Sequence, residues 1–212
     1  DNVLQGTATV AAGPIPPAFN WVESEVEPYP YDPERAKQLL TEAGEANPKV
    51  TFYVTEGGSG MLNPVTMGTA IQADLQAVGF DVAIESYEWN TFLGKVNEGL
   101  KGKADMAEMA WMTNDPDTVP YLTLRTEASP DNGGFNSGYY SNPEVDDLLA
   151  KARTTTDQAE RGKLYAKVQE IVHEDAPWLF VANWVQNAVT TANVQNFKLQ
   201  PSFLLQLKDV TK

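Results

Sequence analysis

Cysteine is absent from these 212 residues, and His173 is the only histidine. The first absence excludes disulfides, thiolate nucleophiles and Cys-based zinc sites. The second leaves a Ser/His/Asp triad or a multi-histidine metal centre without its parts, and no cofactor is expected. His173 follows Ile171 and Val172 and reads as a surface residue near a helix end, where a cation is favoured. Basic residues are scarce: 15 Lys and Arg stand against 29 Asp and Glu, a net charge of −14. They form no stripe, and an acidic field repels phosphate backbones and anionic lipid, so nucleic acid and membrane surfaces are not expected partners. No apolar run of about 18 residues occurs, and Asp1-Asn2-Val3 opens the chain without a signal-like segment. The reading is a soluble chain with no direct membrane insertion.

What remains is ample for one packed core: 42% of the residues are hydrophobic and 10% aromatic. Residues 1–30 carry Pro14, Pro16, Pro17, Pro28 and Pro30 around Trp21, which predicts an extended, surface-hugging lead-in. Asp32-Pro33-Glu34-Arg35 supplies a cap, a proline at the first helical position and an acidic first turn. Ala36, Leu39, Leu40 and Ala43 follow at helical spacing, and Gly44 stops the helix.

From there strands and helices alternate. Val50–Val54 is a strand, Glu56–Gly60 a loop, and a helix capped by Asn63-Pro64 carries Met67, Ile71, Leu75 and Val78 on one stripe. Phe80–Ile84 is a second strand, residues 89–100 a helix with Phe92, Leu93 and Val96 on one face, and Ala104–Trp111 a third strand. This order predicts an α/β fold, a mainly parallel sheet with helices on both faces. Turn-rich sequence follows Trp111 as far as Tyr140, and long irregular stretches in a compact domain are usually functional surfaces. Asn142-Pro143 and Asp157 with Glu160 then open two more helices, and Trp178–Val181, Val185–Thr190 and Phe197–Leu199 read as strands.

In an open α/β sheet, ligands sit outside the carboxyl ends of the strands. That makes Trp111, Met112, Thr113, Asn114, Asp115 and Asp117 the leading site candidates: free backbone groups for an extended peptide, a flat apolar wall, and carboxylates for an ammonium group. The bland alternative is that Asp115-Pro116 turns the chain and Trp111 is core. Glu56, Gly57, Gly58 and Ser59 join a strand to a helix, where backbone N–H groups could receive a carboxylate. Phe135 and Asn136 are candidates for the cleft rim. A carboxylate-based hydrolase is the enzymatic alternative, since Asp115 and Asp117 flank a proline and could converge; an interaction module without a small ligand is a third class.

Several stretches resemble the extracellular solute-binding proteins of family 5, the peptide, nickel and glutathione receptors of ABC importers. They are Tyr31-Asp32-Pro33-Glu34-Arg35-Ala36-Lys37 through Ala43-Gly44, Ile71-Gln72-Ala73-Asp74-Leu75 with Val78-Gly79-Phe80, and Asp105-Met106 leading to Trp111 and Asp115-Pro116-Asp117. Tyr140-Ser141-Asn142-Pro143-Glu144-Val145-Asp146 and Arg161 through Gln169-Glu170-Ile171-Val172 to Asp175-Ala176-Pro177-Trp178 complete the set, in family order. The resemblance implies a periplasmic-binding-protein type II lobe, no enzymatic activity, and a periplasmic or otherwise extracytoplasmic, exported receptor. Its implied partners are a small peptide-like ligand, the ABC transporter membrane permease and a missing N-terminal lobe.

Family members are much longer, so the chain is expected to be the C-terminal lobe alone. Residues 1–30 would be the lead-in near the inter-lobe crossover, 31–193 the ligand-binding lobe, and 194–212 a tail returning to the absent lobe. In peptide-binding members an Asp shortly after the matching Trp holds the ligand's α-amino group. The loop is shorter here, which leaves Asn114 and Asp115 as alternatives for that place. Glutathione and oligosaccharides remain open as ligands. A nickel chelate is disfavoured, because Asn114 rather than Tyr precedes Asp115 and no His occurs between Pro116 and Tyr140.

Overall fold

A computed structural model describes residues 3–200 and 204–212. Its elements run β1 (Ala8–Val10), α1 (Pro33–Ala43), β2 (Lys49–Thr55), α2 (Pro64–Val78), β3 (Asp81–Tyr87), α3 (Trp89–Asn97), β4 (Met106–Ala107), α4 (Thr118–Thr123), α5 (Pro143–Thr154), α6 (Gln158–Asp175) and β5 (Ala182–Trp184).

Local chemistry sets most helix ends. The Asp32 carboxylate accepts from the Arg35 N–H at 2.9 Å, Asn142 Oδ1 from Glu144 and Val145, and Asp157 Oδ1 from Glu160, so three expected caps are made. Gly44 closes α1 at φ 75°, a left-handed turn that favours glycine. Asn63 differs. It sits at φ 49° and caps no backbone N–H, its Oδ1 accepting instead from the Thr66 hydroxyl.

Strands β3, β2 and β4 form one parallel sheet with β2 in the centre. Because side chains alternate along β2, it feeds two cores. Phe52 and Val54 pack with Val82, Ile71 and Leu75 under α2, while Tyr53 packs with Phe92 and Val96 under α3. Helices therefore cover both faces, as alternation predicted. Burying each of these large apolar side chains stabilises the fold by about 1.5–3 kcal/mol.

The third strand is shorter than expected. Only Met106 and Ala107 lie in the ladder, extended by single bonds from Asp105 N to Thr51 O and from Glu108 N to Tyr53 O. Beyond Tyr53 the backbones part, and the Glu108 side chain, not a β4 carbonyl, receives the Thr55 N–H at 3.1 Å.

A second apolar cluster lies in the carboxy-terminal half, where α5 and α6 pack through Val145, Leu149, Ala152, Tyr165, Val168 and Val172. The lead-in does more than hug this surface. Ala11, Ile15 and Val22 are buried in the cluster, β1 pairs antiparallel with β5, and the Gln169 side chain accepts from the Ile15 N–H. Gly162 explains the closeness of approach, since a Cβ there would lie 2.4 Å from the Trp21 carbonyl oxygen. The prolines suppress helix, but the chain still buries its apolar residues against α6.

Three other expectations change. Trp178–Val181, Val185–Thr190 and Phe197–Leu199 are not strands; β5 lies between the first two because β1 is its partner there. His173 is not a free surface residue. Its ring stacks on Tyr29 at 4.0 Å between centroids and its Nε2 is buried. In the tail, Gln195 and Thr211 form a bridge while Leu204, Leu205 and Leu207 are exposed; the part of the expected tail at 201–203 lies outside the described residues.

Candidate functional site

From β2 the chain passes through α2 to β3 on one side, then through α3 to β4 on the other side of β2. The direction of winding reverses between β2 and β4. In open α/β sheets the crevice outside the carboxyl ends at such a switch point is where ligands bind. Both candidate loops lie there, the 56–60 loop after β2 and the 111–117 loop reached from β4, and the chain entering the second touches the first: a Cβ added to Gly60 would lie 3.2 Å from the Ala110 Cβ. The loop after β3 joins them, with the Trp89 ring packed over Gly58 so closely that a Cβ there would fall 2.2 Å from Trp89 Cε3. Gly58 also has φ 143°, so glycine is required twice over.

The candidate residues separate into three groups. Trp111 and Phe135 meet edge to face, 5.5 Å between centroids, and stay 37% and 41% exposed; Met112, at 50%, is exposed beside them. These three form an open apolar rim; Asn114, Glu56 and Ser59 are exposed as well. A second group shapes the loops. The Thr113 hydroxyl bonds the Asp115 carbonyl and accepts the Asp115 N–H, while Asp115 Oδ1 accepts from the Asp117 N–H at 2.8 Å. Gly57 donates its N–H to Thr55 Oγ1 and accepts that hydroxyl's proton at its carbonyl, which removes one of the amides expected to receive a carboxylate.

The third group is committed elsewhere. Asp117 bonds the Tyr165 hydroxyl and faces Arg153 Nε at 3.3 Å, which ties the loop to α5 and α6. Burial raises its pKa against the lowering effect of Arg153. Asn136 is a correction: it is 2% exposed, and its amide bonds the Arg125 and Tyr140 carbonyls and the Tyr140 N–H. It holds the turn after Gly134 together and presents nothing to a ligand. Asp115 and Asp117 do not converge as a free carboxylate pair either, for Arg161 and Arg153 stand against them, the former at 4.0 Å.

Sequence reasoning missed Glu108. Its Oε1 holds the Thr55 N–H, its Oε2 is buried without a hydrogen-bond partner among the described residues, and burial pushes its carboxyl up to about 7, with the Thr55 N–H pulling the other way. A signal existed: Glu108 is the only charged residue between Asp105 and Asp115, inside a stretch read as a closing strand. Among the described residues no His/Cys/Asp/Glu cluster suits a metal ion, and no helix is long and apolar enough to cross a membrane.

Residues 1–133 match the family model for bacterial extracellular solute-binding proteins, family 5 Middle. The chain is 32% identical over 197 residues to di/tripeptide-binding protein 4 of Pseudomonas aeruginosa, covering 92% of this chain and 36% of that protein. It is 34% identical to heme-binding protein A of Haemophilus influenzae, over 94% of this chain and 36% of the other. The dipeptide-binding protein of Pseudoalteromonas sp. SM9913 in complex with Met-Leu superposes with a TM-score of 0.82 at 29% identity, covering 99% of this chain and 41% of that one. The chain thus spans little more than a third of the curated relatives it matches. With its parallel sheet, two-sided helix cover and switch-point crevice, the chain belongs to family 5 of the bacterial extracellular solute-binding proteins, a family of receptors and not of enzymes.

Proposed function

We propose that this chain is the carboxy-terminal lobe of a two-lobed, extracytoplasmic receptor that captures a small peptide and presents it to the permease of an ABC importer. The observation that carries the reading is the crevice between β2 and β4, with two loops in contact at its mouth and the exposed Trp111, Met112 and Phe135 along its rim. Backbone groups at strand ends can pair with an extended peptide, and aromatic walls accept varied side chains. A second lobe closing over this half would bury the ligand and the open rim together. Relatives named for di- and tripeptides and a superposable dipeptide complex support the peptide class.

The test is calorimetric titration of the receptor that carries this chain and its amino-terminal lobe with Met-Leu, Ala-Ala and tri-alanine. Saturable binding without hydrolysis is expected. Failure of every di- and tripeptide, with binding of glutathione, haem or an oligosaccharide, refutes the peptide assignment; turnover of a peptide or glycoside refutes the receptor assignment.

A further inference from the structure

Glu108 stands at the root of both crevice loops. As far as Thr55 the β2 strand stays in register with β3, Thr55 opposite Tyr87, but its ladder with β4 ends at Tyr53 and Ala107. The Thr55 N–H therefore meets no β4 carbonyl, and Glu108 Oε1 receives it instead at 3.1 Å. Thr55 in turn holds the 56–60 loop, its hydroxyl donating to the Gly57 carbonyl and accepting the Gly57 N–H. On the other strand Ala110, two residues after Glu108, lies against Gly60. One carboxyl thus spans the fork from which the two loops spring.

That carboxyl is uncompensated. Oε2 is buried with no hydrogen-bond partner among the described residues, and no ion pair among them includes Glu108. The charged groups on the surrounding elements are mostly acids. Asp105, before β4, holds the Thr51 N–H, Glu56 follows β2, Glu85 on β3 is bonded by the Tyr87 hydroxyl, and α2 carries Asp74. Glu88 caps α3, whose Lys95 lies over the Tyr87 and Tyr53 rings at 4.5 and 5.4 Å from their centroids. Asp115 and Asp117, on the 111–117 loop, face Arg161 and Arg153. Burial raises the Glu108 carboxyl to about 7 against the pull of the Thr55 N–H. A neutral carboxyl tolerates such a place, whereas an ionised one needs water or a cation on Oε2. With no cation at hand among the described residues, ionisation must draw water into the fork.

We propose that Glu108 is a proton-operated clasp for the crevice, a positioning residue that holds the roots of the 56–60 and 111–117 loops together when neutral and spreads them when ionised. The inference rests on the reading of the crevice as the peptide site. Protonation needs no cavity, only transient contact with solvent, which the half-buried side chain has. Closure of a second lobe over the crevice expels water from its mouth and so penalises the ionised form further. The liganded receptor then holds the proton more tightly than the free one, and binding takes up a proton wherever Glu108 was ionised beforehand. Peptide affinity is accordingly greatest on the acid side of neutrality and weakens as pH rises through about 7.

The experiment is calorimetric titration of the two-lobed receptor with Met-Leu between pH 5.5 and 8.5, for wild type and Glu108→Gln. Gln keeps an oxygen for the Thr55 N–H, so the variant separates the proton from the bond. The ratio of wild-type to variant affinity should fall by about three- to tenfold from pH 6 to 8.5. That ratio cancels the titration of the peptide amino terminus, at about 7.7–8.0, because both receptors meet the same peptide. At pH 6.5 the amino terminus is almost fully charged, and wild type should take up a fraction of a proton on binding, at most about a quarter, read from buffers of different ionisation enthalpy. This second measurement decides the matter if the variant does not fold. A ratio that stays constant or rises with pH, or proton release or no uptake at pH 6.5, overturns the proposal while the peptide reading stands. Failure of Met-Leu, Ala-Ala and tri-alanine to bind at any pH overturns both.

Discussion

A carboxyl held near neutrality by burial makes the stability of this chain depend on pH in a direction opposite to that of most acidic residues. Glu108 rises from its usual 4.5 to about 7 because its charged form is poorly solvated between β2 and β4. The folded state thus prefers the proton. Stability from this group is complete below about pH 4.5, is lost as pH rises toward about 7, and is constant above that. The whole shift corresponds to about 3 kcal/mol, and partial access of solvent reduces it to about 1–2 kcal/mol.

Glu108→Gln removes the charge and keeps an oxygen for the Thr55 N–H. The variant should match wild type near pH 4.5 and exceed it by about 1–2 kcal/mol at pH 8, where each kcal/mol raises Tm by about 2–4 °C for a chain of this size. Thermal unfolding followed by circular dichroism across that range measures the difference directly. Comparing the two chains cancels the other acids, including Asp175, whose pKa is lowered by its bonds to Tyr140 and Asn142. A difference that does not vary with pH, or a variant less stable than wild type at pH 8, would refute the assignment of an uncompensated buried charge.

Asp117→Asn keeps an oxygen for Tyr165 and removes a charge whose burial outweighs the Arg153 ion pair at 3.3 Å, so stability in urea unfolding near pH 7 should change by about 1 kcal/mol or less. Gly58→Ala forces a Cβ into the Trp89 ring at φ 143°, and should lower stability by about 1–3 kcal/mol and shift tryptophan fluorescence. Trp111→Ala removes only an edge-to-face partner of Phe135 from a half-open rim, so stability should change by about 1 kcal/mol or less while peptide affinity falls in calorimetry.

The parts of the fold that were legible in sequence are those written locally. Asp32, Asn142 and Asp157 each bond an N–H within three residues, so cap and helix appear together in the chain. The placement of the two loops on one edge of the sheet followed from strand and helix alternation alone, because parallel strands linked by right-handed crossovers leave no other arrangement. What sequence concealed was pairing at long range. β1 meets β5 across the length of the chain, and nothing in Ala8–Val10 announces Ala182–Trp184 as its partner. β4 stops after two ladder residues although its sequence, Glu108 apart, stays apolar to Trp111, since a strand ends where its neighbour leaves it. Asn136 looked like a rim residue because its neighbours are aromatic, yet its amide is enclosed by Arg125 and Tyr140, which the sequence does not place beside it.

The acids of the crevice show why proximity along the chain misleads about ligand contact. Asp115 and Asp117 lie next to Trp111 in sequence and invite assignment as the anchor for an ammonium group. In the fold both face arginines of the helical half, so a ligand cation would compete with a partner already present, and their removal would loosen the loop before it altered recognition. Glu108 precedes the tryptophan inside a strand-like stretch, where charge normally means an edge turned to water. Here the same residue is turned inward with one oxygen satisfied by Thr55 and one by nothing among the described residues. A charge that the fold leaves unpaired has binding energy to give to a ligand; one that the fold has paired has little left.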